Sequence, residues 1–229
     1  MSMITNTKKL FKSKILQLLA SQGTDEVLSE AALPAYAHKN PIIDYIFWKR
    51  LAIAGDFIKD NAGQKANILD FGCGTGVFSY EMAKSGHDIL ALDLDLTPVH
   101  LLSKVISYPE NISFIQGDFF TTDFKGQTFD FIVALDVLEH IPLDKLPLYL
   151  DKFNELLKEG GHVIVSGPTE NILYKIGRKL AGNDFTGEYH ETTIAKIKAV
   201  FSNNYKVTTL KKLIWPLTLF EIFQAKRKS

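Results

Sequence analysis

The sequence predicts an α/β domain whose sheet is mostly parallel and includes one reversed strand near the C-terminus. Two observations carry this reading. From Asn67 onward, short apolar runs alternate with helical stretches, the pattern of parallel strands covered on both faces by helices. At the far end, two strand-like runs are separated only by Trp215-Pro216-Leu217. Parallel strands need a long crossover, so that short link requires an antiparallel hairpin. The chain of 229 residues suits one such domain with an ample core.

Residues 1–61 read as a helical N-terminal cap or lid, and 62–229 as the α/β domain. Leu10, Ile15, Leu18 and Leu19 are placed to line one face of a first helix, and Pro41 suits the first turn of another running to about Asp60. A short helix is expected around Leu28 to Ala32. Strands are expected at Asn67–Phe71, Asp88–Asp93, Ile112–Gly117, Phe129–Leu135 and Gly161–Ser166, with helices at Val77–Ser85, Pro98–Ile106 and Asp144–Lys158. Tyr205–Ile214 and Thr218–Lys226 make the closing hairpin. Residues 171–190, between the fifth strand and the hairpin, mix aromatic, basic and glycine residues and read as a lid-like insert.

Composition narrows the function classes. Lys plus Arg and Asp plus Glu each number 26, for a formal net charge of zero, and there is no basic, aromatic-interleaved tract; a general nucleic-acid binder is not expected. The single cysteine, Cys73, allows no internal disulfide and fits a reducing compartment. No apolar run approaches bilayer length. The stretch Ile15-Leu16-Gln17-Leu18-Leu19 is short and lacks a small-residue cleavage site, so a cytoplasmic location is expected. Lys8, Lys9, Lys12 and Lys14, with Lys226-Arg227-Lys228 at the other end, offer contact with anionic lipid as a second reading beside a solvated face and tail.

The most informative stretch is Asp70-Phe71-Gly72-Cys73-Gly74-Thr75-Gly76-Val77. It passes from a strand into a helix through glycines at alternate positions. Glycine permits close backbone approach and unusual dihedrals, and a helix start presents free N–H groups to a ligand. Dinucleotide folds use G-x-G-x-x-G beneath a pyrophosphate. Here the spacing is G-x-G-x-G, and the preceding Asp70 suits a ligand that carries an ammonium group rather than a pyrophosphate. Asp93 closes the second strand, where a carboxylate can accept both hydroxyls of a ribose. The bland alternative is that Asp93 caps the turn before Pro98.

These residues resemble the first motif of class I S-adenosylmethionine-dependent methyltransferases, in particular the type 11 group. Later segments are similar in order: Ile115-Gln116-Gly117-Asp118-Phe119, then Phe129 through His140, then Leu156-Leu157-Lys158-Glu159-Gly160-Gly161-His162-Val163. The similarity runs from about Asn67 to Pro168. It implies a Rossmann-like, seven-stranded sheet with a reversed C-terminal strand and S-adenosylmethionine as cofactor, leaving as S-adenosylhomocysteine. It implies further that Asp70 and Gly72, Cys73, Gly74 and Gly76 hold the methionine part, Asp93 the ribose, and Asp118 with Phe119 the adenine, with Leu94 also at the cofactor. Leu135 is expected at the cofactor's edge.

Methyl transfer from a sulfonium is an in-line displacement, so holding the reactants close and dry is the main task, with a base where an oxygen or nitrogen attacks. Asp136, Glu139 and His140 follow the fourth strand at i, i+3, i+4 spacing, one side of a turn if the chain is helical there. His140 then satisfies loop backbone groups, takes the acceptor's proton as catalytic base, or joins a metal site. The last resembles the Glu-x-x-Glu-His site of small-RNA 2'-O-methyltransferases, with Asp136 replacing the first Glu and His190 as the distant ligand. The expectation adopted is His140 as base with no metal. An asparagine-proline-proline-aromatic tetrad is absent at Leu135-Asp136-Val137-Leu138, which favours O- or C-methylation of a small-molecule or lipid-like acceptor. The alternative is a non-catalytic S-adenosylmethionine-binding sensor or scaffold.

Overall fold

A computed structural model describes residues 3–22, 36–38, 40–169, 191–214 and 218–228. The expected helix near Leu28, the lid-like insert with His190, and the link Trp215-Pro216-Leu217 lie outside the described residues. The chain divides into two compact units, Met1–Asp123 and Phe124–Ser229.

The first unit runs α1 (Met3–Gln22), α2 (Pro41–Asn61), β1 (Asn67–Phe71), α3 (Val77–Lys84), β2 (Asp88–Asp93), α4 (Thr97–Ser103) and β3 (Ile112–Gln116). Its strands lie in the order β3-β2-β1, all parallel. Successive strand residues point to opposite faces, yet Ile68 through Phe71 and Ile89 through Leu92 are all buried, as strands covered on both sides must be. In β3, at the edge, no residue is fully buried. α2 starts where Asn40 accepts from Ile42 N with Pro41 in the first turn, a combination that satisfies one orphan donor and presets φ. α1 buries Thr7, Phe11, Ile15 and Leu18. Phe11 takes the place in that stripe expected of Leu10, because a spacing of four or three from Phe11 through Ile15 to Leu18 keeps one face of a 3.6-residue helix. α4 ends at Ser103, three residues before the expected Ile106.

The second unit runs β4 (Phe129–Leu135), a 3-10 turn (Leu138–His140), α5 (Leu146–Leu156), β5 (Leu157–Pro168), α6 (Ile194–Asn204), β6 (Tyr205–Leu213) and β7 (Phe220–Arg227). β4 and β5 are parallel, whereas β7 is antiparallel to both β5 and β6. With the first unit's three strands, these make the seven strands of a mixed sheet, and β7 is the reversed one. The order β4-β5-β7-β6 puts β7 between β5 and β6 rather than at the margin. The hairpin tells that these two strands oppose each other, not which of them pairs with β5.

Two expectations shift here. β5 begins at Leu157, which pairs with Phe129 before a register break, so α5 stops at Leu156 instead of reaching Lys158. Lys158, expected in the helix, forms an ion pair with Asp130 at 2.9 Å from the strand. α6 was not anticipated, although its signals are present: Thr193 accepts from Lys196 N as N-cap, and Ile194, Ile197 and Phe201 are buried at helical spacing. Phe201 is fully buried, with ring centroids 5.3 Å from Tyr205 and 5.5 Å from Phe223. Phe201→Ala is expected to cost about 3–5 kcal/mol, read as a lowered urea midpoint with unchanged slope.

Candidate active site

In the first unit, the loop between β1 and α3 is shaped by its glycines. Gly72, Gly74 and Gly76 have φ of 72°, 53° and 66°, a region that strains any L side chain. Gly72 N and Cys73 N donate to Leu92 O at 2.8 and 3.2 Å, which ties the loop to the end of β2. Gly74 N donates to Asp93 Oδ2 at 2.7 Å. At Gly76 an added Cβ would meet Phe114 Cε1 at 2.9 Å and Tyr108 Cε1 at 3.2 Å. A side chain there would push the rings aside and would sit on strained backbone.

Asp93 and its neighbour Asp95 divide the work of this corner. Asp95 Oδ1 accepts from Thr97 N at 2.9 Å and so caps the turn before Pro98, while Asp93 is turned to the glycine loop. Asp95 N donates to Asp93 Oδ1 at 3.2 Å. Each carboxylate oxygen can accept more than one hydrogen bond, so holding the loop does not exhaust Asp93. Leu94 beside it is 72% exposed.

Asp70 sits at the end of β1, 3% exposed. Ser79, in the first turn of α3, donates to Asp70 Oδ2 at 2.5 Å. Burial, opposed by that hydrogen bond and aided by the charge of Asp93, pushes the Asp70 carboxyl up to about 7. A buried acid poised near neutrality gains most from a cation brought beside it. Cys73 is buried, and burial with the charges of Asp70 and Asp93 pushes its thiol well above the ordinary range; it is no nucleophile.

Asp118 and Phe119 follow β3. Asp118 is exposed, and its Oδ1 accepts from Phe120 N at 2.9 Å and Thr121 N at 3.2 Å, fixing the turn. Phe119 is buried against Phe71 with ring centroids 4.8 Å apart. Three neighbours escaped the sequence reading. Phe120 is 44% exposed beside Phe119. Ser79 supplies the partner that a buried acid at a strand end demands. Thr75 Oγ1 is buried with no hydrogen-bond partner among the described residues.

In the second unit, Leu135 ends β4 opposite Ser166 of β5. Asp136 takes φ 59°, with Ser166 Oγ donating to its Oδ1 at 2.6 Å and its own N donating to Ser166 O at 3.1 Å. The chain then makes a single 3-10 turn over Leu138–His140. Glu139 is 1% exposed, its carbonyl accepting from Glu191 N and Thr192 N at 2.8 and 3.2 Å, whereas His140 is exposed. The expected common helical face for Asp136, Glu139 and His140 does not form, because Asp136 lies outside the turn in left-handed backbone and a 3-10 turn of this length has no i, i+4 face. Among the described residues, no group of three His, Cys, Asp or Glu side chains is arranged to hold a metal ion.

The raised Asp70 carboxyl predicts a pH dependence of stability. Its folded value, about 7, lies above the ordinary value near 4 that it takes when unfolded. The native state therefore holds the extra proton between those limits, and stability falls as pH rises through that window, by at most about 1.4 kcal/mol per pH unit. Urea midpoints compared from pH 4.5 to 8 should show this slope in the wild type and a flatter profile in Asp70→Asn.

Comparisons with known proteins bear on the family and the fold. A family model described as a methyltransferase domain matches residues 43–204. A ubiquinone biosynthesis O-methyltransferase from Aliivibrio fischeri is 28% identical over 123 residues, 51% of each chain; the chain thus spans about half the length of that relative. The crystal structure of a magnesium protoporphyrin IX methyltransferase from Synechocystis with bound S-adenosylhomocysteine superposes with a TM-score of 0.63 at 16% identity, covering 98% of this chain and 99% of that one. An N-methyltransferase from Bradyrhizobium japonicum, also in complex with S-adenosylhomocysteine, gives a TM-score of 0.63 at 14% identity over 96% of this chain and 100% of that one. At such identities the two structures speak to the fold alone. The family match covers most of the chain, and the chain belongs to the methyltransferase-domain family of class I S-adenosylmethionine-dependent enzymes.

Proposed function

We propose that this chain binds S-adenosylmethionine at Asp70, the Gly72–Gly76 loop and Asp93, and transfers its methyl group to a small-molecule or lipid-like acceptor, with O- or C-methylation favoured. The observation that carries the proposal is the joining of the glycine loop to Asp93 through Gly74 N, with Asp70 buried at the loop's other end. The residues fit the cofactor. Asp70 is half-protonated near neutrality and gains from an ammonium group, the buried Thr75 hydroxyl has no partner among the described residues, and glycine keeps the loop backbone open to a ligand. Asp118, Phe119, Leu94 and Cys73 are assigned to the cofactor as well.

When bound, S-adenosylmethionine supplies an electrophilic methyl group on a sulfonium. The chain's own part is to bind and orient. Asp70 and the loop would hold the amino-acid end, and Asp93 the ribose. His140 is assigned the acceptor's proton at an imidazole nitrogen, supported by its exposure shortly after β4. Asp136, held by Ser166, shapes the turn that presents it. Acceptor choice is assigned to the cap, residues 1–61, and to the lid-like insert at 171–190 within residues 62–229. The O-methyltransferase relative favours an oxygen acceptor. A cytoplasmic setting belongs to the same reading, supported by the single cysteine; among the described residues no helix is long and apolar enough to cross a membrane.

Calorimetric titration with S-adenosylhomocysteine tests the cofactor reading. Micromolar binding weakened at least tenfold, about 1.4 kcal/mol, by Asp93→Ala is expected; a folded wild type that does not bind overturns it. A radiolabel transfer assay against phenols, carboxylates and lipid-like acceptors tests the rest. His140→Ala should lower kcat about 100-fold without changing affinity for S-adenosylhomocysteine, and an unchanged kcat removes His140 from the mechanism.

A further inference from the structure

Behind the glycine loop lies a chain of aromatic contacts that leads to the N-terminal helix. Tyr108, in the connection between α4 and β3, donates its hydroxyl to Thr75 O at 2.6 Å. Thr75 stands between Gly74, which holds Asp93, and Gly76, whose Cα the Tyr108 and Phe114 rings wall in. The Tyr108 ring meets Phe114 edge-on at 5.1 Å, Tyr80 of α3 at 6.1 Å and Phe11 of α1 at 6.3 Å. Phe11 and Tyr80 also meet edge-on at 5.2 Å. Such pairs add to the area they bury and fix the angle between rings.

Both ends of this chain are fastened. Asn111 Nδ2 donates to Ala83 O and His87 O at 2.9 and 2.6 Å, pinning the segment that carries Tyr108 against the end of α3. Thr7 Oγ1 donates to Glu81 Oε2 at 2.5 Å, inside the unit, and seats α1 on α3 one turn before Phe11. Burial pushes the Tyr108 phenol well above its ordinary range, so it stays a donor throughout the physiological range.

We infer that Tyr108 is a positioning residue for the cofactor loop, and that α1 sets the loop's geometry through it. The inference rests on the cofactor reading above for its functional meaning. Thr75 O accepts the Tyr108 hydroxyl at the crown of the loop, so that bond holds the left-handed turns at Gly74 and Gly76 in the arrangement that aims Gly74 N at Asp93. Phe11 holds the Tyr108 ring from behind. The N-terminal helix is on this account part of the cofactor machinery as well as the cap.

Two measurements on the full chain test it. Amide hydrogen exchange without ligand reads the brace directly: Tyr108→Phe, which keeps the ring and removes one hydrogen bond, should raise exchange at Gly74 and Gly76 about five- to tenfold while β2 amides stay unchanged. Titration with S-adenosylhomocysteine reads its consequence. Tyr108→Phe should weaken binding about fivefold with Tm within about 2 °C of wild type, and Phe11→Leu should act in the same direction with a smaller effect. A purely structural role would lower Tm and leave the folded protein's affinity alone. Exchange and affinity both within twofold of wild type overturn the inference. A wild type that fails to bind, with exchange still raised in Tyr108→Phe, overturns the cofactor reading and leaves the brace standing.

Discussion

The loop from Gly72 to Gly76 depends on a backbone N–H of Gly74 finding the carboxylate of Asp93 at 2.7 Å. That bond forms only if the backbone can turn through positive φ three times in five residues, which glycine alone does without strain. It also needs β1 and β2 in register, so that Leu92 O receives Gly72 N and Cys73 N just before Asp93 leaves the strand. Parallel pairing of Phe71 with Leu92 supplies that register. The acid, the loop and the strand pair form one device, and disturbing any part misplaces the others.

Burial does the electrostatic work around it. Asp70 lies at the end of a strand whose residues from Ile68 onward are enclosed, and withdrawal from water makes its charge expensive. Ser79 offsets part of that cost. The result is an acid that is half-ionised near neutrality, destabilising to the fold yet suited to a cationic ligand. Such a tension between stability and site is expected where function resides. In the second unit Asp136 shows a comparable trade: it takes a left-handed conformation unusual for a residue with a side chain, secured by two hydrogen bonds to Ser166.

The aromatic group of Phe11, Tyr80, Tyr108 and Phe114 answers a different need. A loop of glycines has few side chains of its own and must be stiffened from outside. Rings with two χ angles each lose little entropy when packed, and one phenol hydroxyl reaches the backbone they surround. That division of labour accounts for a tyrosine, rather than a phenylalanine, at position 108.

Much of this was legible in the sequence because it follows from local patterns. Apolar runs of strand length located all seven strands of the sheet, Pro41 marked a helix start, and the glycine spacing marked the loop that Gly74 N ties to Asp93. These are properties of a few adjacent residues, and the physics that reads them is short-range. The tertiary structure alone decided the rest. Whether Asp93 or Asp95 caps the turn depended on Gly74, nineteen residues away. The placing of β7 between β5 and β6, and the end of α5 at Leu156, were decided by pairing with distant strands. Asp136, Glu139 and His140 had helical spacing but no room for a helix, since Ser166 claims Asp136 and Glu191 and Thr192 claim the Glu139 carbonyl. Tyr108 gave no local sign of its link to Thr75, because a contact between residues 33 apart in the chain exists only once α1, α3 and β3 have packed.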